Sequence, residues 1–342
     1  MKKFLLKVSI FTVYAFIIQV IFPIAVDPFN VFHADNIRPN GVISNSNYIK
    51  TRYVLKNPKK FECFLFGSSR VGAIHVDKIR EEKCYNMTYS MGMISEHMDN
   101  IKTFFANGIR PSKIYIGFDD ISLTGKVNER IMSSVYCPYE YIVKNPVHFY
   151  SLYLSTKSAL FSLPIILSYS GSRDNKIFYE YGWEIAYNRK GMNRDKWTLG
   201  YGPKGKLIDN SVAIERTLRD IQEIVDICHK YGTELVMFTN PMYCITYMGA
   251  VERNYLTFLE GVAKITNFYN FSGINDITTN DNNYLEDSHY KAEIGDVIID
   301  VICNGKSYPE LQHQGFGVKV TRENVKEFVA MLRSQAEDFR TE

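Results

Sequence analysis

The run Phe61-Glu-Cys-Phe-Leu-Phe-Gly-Ser-Ser-Arg70 constrains this chain more than any other stretch. Its apolar, β-prone residues stop abruptly at Gly-Ser-Ser, as a buried parallel strand stops at turn residues. In open α/β sheets, ligands and reacting groups gather just beyond the carboxyl ends of such strands. A hydroxyl on a turn that glycine permits is there a candidate nucleophile, and both Ser68 and Ser69 meet the description. The same residues also suit an ordinary helix cap, so the rest of the chain has to decide.

The pattern recurs. Residues 84–89 read as a second strand, ending at Ser90-Met-Gly92, and residues 113–117 as a third, ending in Phe118-Asp119-Asp120. A fourth strand covers 234–239 and ends at Asn240-Pro241; a short fifth covers 268–271. Asn240 thus either faces the same cleft or forms the turn before proline. Helical periodicity falls between them, over 76–82, 96–107, 213–231, 251–265 and 294–303. Strand–helix–strand alternation implies an α/β fold with parallel pairing and right-handed crossovers. From about Thr321 a charged amphipathic helix is expected on the surface.

Two regions break the pattern. Residues 4–26 are apolar apart from Lys7, Gln19 and a few hydroxyls, and they follow Met1-Lys-Lys. About 20 such residues cross a bilayer, and lysines on the leading side keep that end in the cytoplasm. No small-x-small cleavage site stands out near Ala25-Val26-Asp27, so an uncleaved anchor with an exported domain is expected. Residues 122–208 are rich in Tyr, Phe, Asn and Gly. A structureless loop of that length is improbable, which predicts an inserted cap with helix around 145–168, its aromatics either stacking on sugar rings or packing the cap itself. The expected organisation is an anchor (1–26), a connector (27–60), an α/β domain (61–303, with the insertion) and a C-terminal helical extension (304–342).

Composition narrows the function. With 46% apolar and 23% charged residues the chain is globular, and a net charge of +3 gives no footprint for nucleic acid. The basic pair Lys59-Lys60 reads as a solvated turn. Six cysteines suit an exported chain, but no C-x-x-C occurs and no histidine pair has ligand spacing. No metal site, no cofactor and no particular disulfide is expected; most cysteines read as small buried hydrophobes.

A second constellation answers the first. A serine hydroxyl needs a base, and the base needs a carboxylate to fix its tautomer. Glu286-Asp287-Ser288-His289 supplies both after the last strand, on the sheet edge where the 67–69 turn opens.

Together these residues resemble the SGNH (GDSL-type) hydrolases, in particular the membrane-anchored bacterial branch linked to acylation of cell-envelope polymers. Gly67-Ser68-Ser69 resembles the Gly-Asp-Ser block, with Ser69 at the nucleophile's place. Gly92 stands where an oxyanion glycine would be. Gly117-Phe118-Asp119-Asp120 resembles Gly-x-Asn-Asp, and Glu286-x-x-His289 resembles Asp-x-x-His. Three departures stand out. Ser68 replaces the aspartate; Asp119 replaces an asparagine, although an ionised carboxylate cannot donate to an oxyanion; and the triad acid is either Glu286, at the usual spacing, or the shorter Asp287, the commoner kind of partner.

The resemblance implies a flavodoxin-like parallel sheet with helices on both faces. It further implies a serine esterase or O-acyltransferase acting on ester-linked acyl groups of an envelope glycan, with the domain outside the cytoplasm. Ser69 would attack, His289 would move the proton, and Arg70 would meet an anionic substrate group or solvent. A membrane-bound acyltransferase is the partner the branch suggests. The rival expectation is a non-catalytic scaffold of the same fold, which binds the glycan or that acyltransferase.

Overall fold

The structure is a computed structural model, and it describes residues 1–33, 45–80, 82–123, 139–154, 156–167, 175–177, 181–182, 184–186 and 210–341. Its strands are β1 (Cys63–Gly67), β2 (Cys84–Asn86), β3 (Lys113–Phe118), β4 (Asn175–Ile177), β5 (Glu184–Ala186), β6 (Glu234–Thr239), β7 (Phe268–Asn270), β8 (Tyr284–Glu286), β9 (His289–Tyr290) and β10 (Val318–Val320).

Six of them form one sheet in the order β10-β7-β6-β3-β1-β2, in which only β10 runs antiparallel. Numbered among themselves, the five parallel strands follow 2-1-3-4-5. This is a doubly wound order whose switch point lies between the first and third strands. Here that point falls between β1 and β3, which pair residue for residue from Cys63↔Lys113 to Gly67↔Gly117.

Alternation along the strands feeds two cores. Phe64, Phe66, Ile114 and Ile116 pack on one face with Ile101 and Phe104 of the helix Ile94–Ala106 and with Ile221 and Ile224 of Ser211–Tyr231. Leu65, Tyr115 and Phe238 pack on the other with Ile294 and Ile298 of Ala292–Ile302. Strands covered on both faces read as continuous apolar runs, which is why they were legible.

Several expectations change. The 27–60 connector contains the helix Ser46–Lys56, whose residues 46–51 and 54 are buried against the domain. Lys50 within it is 3% exposed and donates to the carbonyls of Thr88 and Gly182, each at 2.6 Å. Among the described residues of 76–82 there is a 3-10 turn, Val76–Lys78, and no α-helix. The helix expected over 251–265 starts later, as Tyr255–Ile265 after Asn254 with φ +61°, and Val251 ends a separate helix, Cys244–Val251. Residues 284–290, read as a loop, form the β8–β9 hairpin. The C-terminal segment is not a surface appendage: β10 pairs with β7, and Val325–Thr341 buries Val325, Phe328, Val329, Leu332 and Ala336. Cys63 and Cys84, opposite each other on β1 and β2, are joined in a disulfide. Cys228 and Cys244 are buried thiols, and Cys303 is half-buried.

At the N-terminus one 25-residue helix, Lys2–Val26, is long and apolar enough to cross a membrane. Of the region 122–208, three helices (Tyr139–Lys144, Pro146–Ser151, Thr156–Leu167) and the hairpin β4–β5 are described. Tyr139, Tyr141 and Phe149 pack with Tyr48 and Ile49 in a small separate core. The aromatics at 135–136, 178–180 and 197–201, and Cys137, lie outside the described residues. Beside the edge strand β2, Asn86 N–H donates to Tyr181 O at 2.7 Å.

Candidate active site

β1 delivers the serine pair to the switch point. At Gly67 a Cβ would lie 2.6 Å from Val71 Cγ1 and 2.8 Å from the Gly117 carbonyl, so only glycine allows the chain to fold back this closely. Ser68 is extended and caps the 3-10 turn Ser69–Ala73, its Oγ accepting from Arg70 N–H at 3.4 Å. The two hydroxyls diverge as a result. Ser68, 2% exposed, donates to Asp119 Oδ2 at 2.8 Å. Ser69 is half-buried and lies 2.8 Å from His289 Nε2.

His289 is held by its own hairpin. Glu286 on β8 is the bridge partner of His289 on β9, with Asp287 and Ser288 forming the turn between them. Bridge partners share a face, so His289 Nδ1 contacts Glu286 Oε1 directly. With a proton on Nδ1 directed at Glu286, Nε2 is left to accept from the Ser69 hydroxyl. The shorter Asp287 is not the carboxylate on His289. It sits on the exposed turn, and its carbonyl accepts from Thr246 Oγ1 at 2.7 Å. A hydrogen bond shared with Glu286 raises the Asp287 pKa, reinforced by burial and by the Glu286 charge.

Beneath this relay lies a buried ionic layer. Arg70, expected to face substrate or solvent, is 2% exposed. Its Nη1 is 2.9 Å from Asp119 Oδ2 and 2.8 Å from Asp120 Oδ1, and its Nε donates to the Ser288 carbonyl at 2.9 Å. Burial opposes the guanidinium charge, but the two carboxylates outweigh it, so the pKa is raised. Asp120 also accepts from Arg253 Nη2 at 2.6 Å. Arg253 was not singled out in the sequence; nothing nearby marks it.

Asp119 is an acceptor throughout. Oδ2 takes Ser68, Arg70 and the Asn240 amide (2.9 Å), and Oδ1 takes the Ile121 N–H at 3.0 Å. Every one of these contacts brings a donor to it, the pattern of a carboxylate rather than of the donor amide in Gly-x-Asn-Asp. Asn240 is fully buried rather than cleft-facing; besides Asp119 it accepts from the Tyr290 hydroxyl at 3.2 Å. Gly92 does reach the site. A Cβ on it would lie 2.6 Å from the Gly67 carbonyl, yet its N–H is directed at Tyr89 O, 3.3 Å away. The Ser69 N–H has no hydrogen-bond partner among the described residues.

The structure therefore brings Ser69, His289 and Glu286 into contact and sets Gly92 against the Gly67 carbonyl, at the start of the turn that carries Ser69. Ser68, Arg70, Asp119 and Asn240 form the floor. Among the described residues, ligand atoms cluster at metal spacing at Cys63, Glu82 and Cys84. There the two sulfurs are bonded to each other, and a disulfide presents no thiolate to a metal.

No protein-family model matches the chain, and neither a curated protein nor a solved structure matches it.

Proposed function

We propose that the chain is a membrane-anchored serine esterase or O-acyltransferase of the SGNH type, with its α/β domain outside the cytoplasm and residues 122–208 forming a cap. One observation carries the reading: Ser69 Oγ, His289 Nε2 and Nδ1, and Glu286 Oε1 stand in line at the carboxyl edge of the sheet's switch point. Hydroxyl, base and orienting carboxylate in that sequence are what nucleophilic acyl transfer needs.

In the proposed reaction Ser69 Oγ forms a bond to the acyl carbonyl carbon while its proton passes to His289 Nε2. Glu286 holds the imidazolium. Collapse of the tetrahedral intermediate breaks the bond to the leaving sugar oxygen, which takes the proton from His289. Water, or a second sugar hydroxyl, then repeats the steps on the acyl-serine. Ser69 N–H is the oxyanion donor; Gly92 N–H joins it only by turning away from Tyr89 O. The glycan and the ester class follow from the resemblance. Export is supported by Lys2, Lys3 and Lys7 ahead of the apolar helix and by a disulfide, which persists in oxidising compartments.

A serine-directed fluorophosphonate tests this on the full chain in detergent, with the adduct located by mass spectrometry. Labelling at Ser69 that survives Ser68→Ala and disappears in His289→Ala is expected. A folded protein that takes no label at either serine would sink the enzyme reading. It would favour the alternative, a scaffold binding a glycan or a membrane acyltransferase. The observation behind that alternative is Asp119: where a donor amide would assist the reaction, the chain has a carboxylate saturated with donors.

A further inference from the structure

The helix Thr156–Leu167 is built inside out for water. Among its described side chains, Ser158, Ala159 and Ser162 face the protein at 2%, 6% and 0% exposed, while Leu160 and Leu163 face away at 61% and 47%, with Thr156 exposed at its start. A helix on an aqueous surface buries its apolar stripe and shows its hydroxyls. Helices packing within a bilayer reverse this, placing small residues at the helix–helix contact and large apolar ones toward lipid.

The helix also has the right neighbour. It packs on Ile17–Ile21 and Phe22–Val26, the carboxyl end of the membrane-length helix. Gln19, the polar interruption in that apolar stretch, donates to the Leu154 carbonyl at 3.4 Å and accepts from Thr156 Oγ1 at 3.3 Å. A polar side chain within a membrane helix is satisfied by a partner helix in this way. Gln19 lies about two turns, or roughly 10 Å, inside the end of that helix. Leu154 and Thr156, which meet Gln19, are therefore level with the interior of the distal leaflet. Pro164 within the helix, and a single charge at Lys157 in its first turn, fit the same environment. Just before it, two further apolar side chains, Val147 and Leu152, are 84% and 40% exposed.

We infer that Thr156–Leu167 is a second membrane element, seated in the distal leaflet against the anchor, with Leu160 and Leu163 in contact with acyl chains. The domain is then held to the bilayer at two places in its chain rather than swinging on a single tether. This rests on the N-terminal helix spanning a membrane and on nothing about catalysis.

The test uses the full chain in phosphatidylethanolamine–phosphatidylglycerol vesicles containing lipids brominated along the acyl chain. Tryptophan emission is read in Leu160→Trp and Leu163→Trp, with Ile18→Trp on the anchor and Val212→Trp, 76% exposed on a distant helix, as references. The signal of the unsubstituted chain, with Trp183 and Trp197, is subtracted. The expected result is a bromine-dependent loss of emission at 160 and 163 equal to that at 18, and no loss at 212. Loss at 18 alone overturns the proposal while leaving the anchor intact. Blue-shifted but unquenched emission at 160 also overturns it, because a second copy of the chain or another protein then covers the face. Absence of loss at 18 overturns the spanning helix and the proposal with it.

Discussion

Ser68 and Ser69 are adjacent in the chain and belong to different worlds. Ser68 points down into a layer of buried charge, where Asp119, Arg70, Asp120 and Arg253 satisfy one another. Ser69 points up to a relay of half-exposed groups, His289 and Glu286, on a short hairpin. In the lower layer every charge has lost its water and depends on a specific partner, so the arrangement is rigid and costly to break. In the upper layer water can still reach the groups, so protons can move and carboxylates can share them. Arg70 joins the two: it binds both floor carboxylates and, through Ser288 O, the turn that carries the histidine. Precision above thus depends on rigidity below.

The sharpest way to break the comparison lies in the upper layer. Glu286→Gln is expected to lower the rate of acylation or fluorophosphonate labelling by about 10⁴-fold by fixing the wrong His289 tautomer, with little change in stability. Asp287→Asn should leave the rate within about tenfold of the parent. Labelling kinetics on the two variants check this, and a larger loss from Asp287→Asn would move the acid back to that residue.

The lower layer should respond in the opposite currency. Asp120→Ala removes the carboxylate that Arg70 and Arg253 share and is expected to cost about 3–5 kcal/mol in chemical denaturation. Arg70→Met takes the guanidinium from two buried carboxylates, Asp119 and Asp120, and should cost a similar amount if the layer works as paired charges. A loss under about 1 kcal/mol from either variant would show that the layer is not held by its charges.

The smallest effect separates the layers by pH. The folded-state pKa of Asp287 is raised, chiefly by its hydrogen bond with Glu286. Stability tied to the protonated acid is fully present below the ordinary value of 3.8 and is lost as pH rises through the folded value. Thermal unfolding at acid and neutral pH should therefore show a decline in the parent that Asp287→Asn lacks. A decline of the same size in both would place its origin elsewhere.

The upper layer was largely legible because its spacing is local. Glu286 and His289 are three apart on one hairpin face, and the serine follows a strand whose apolar run is unmistakable. The choice of Glu286 over Asp287 was not legible, since it depends on which residues bridge β8 to β9 rather than on side-chain length. The lower layer was almost invisible. Ser68 and Asp119 are 51 apart on the ladder's ends, and Arg253 comes from a helix junction with nothing in its neighbourhood to mark it. β10 was missed because three residues between Gly317 and Thr321 show no period. The disulfide was not foreseen because only the register of β1 on β2 sets Cys63 against Cys84.

Both margins of the sheet are short. On one side the outermost strand is the three-residue β10, antiparallel to β7; on the other, β2 is also three residues long and Asn86 N–H is already taken by the Tyr181 carbonyl. An exposed margin recruits strands from neighbouring chains, and a protein confined to a plane meets its copies far more often than one free in solution. Margins this short offer little template for such recruitment, so this domain can be crowded with little tendency to polymerise through its sheet.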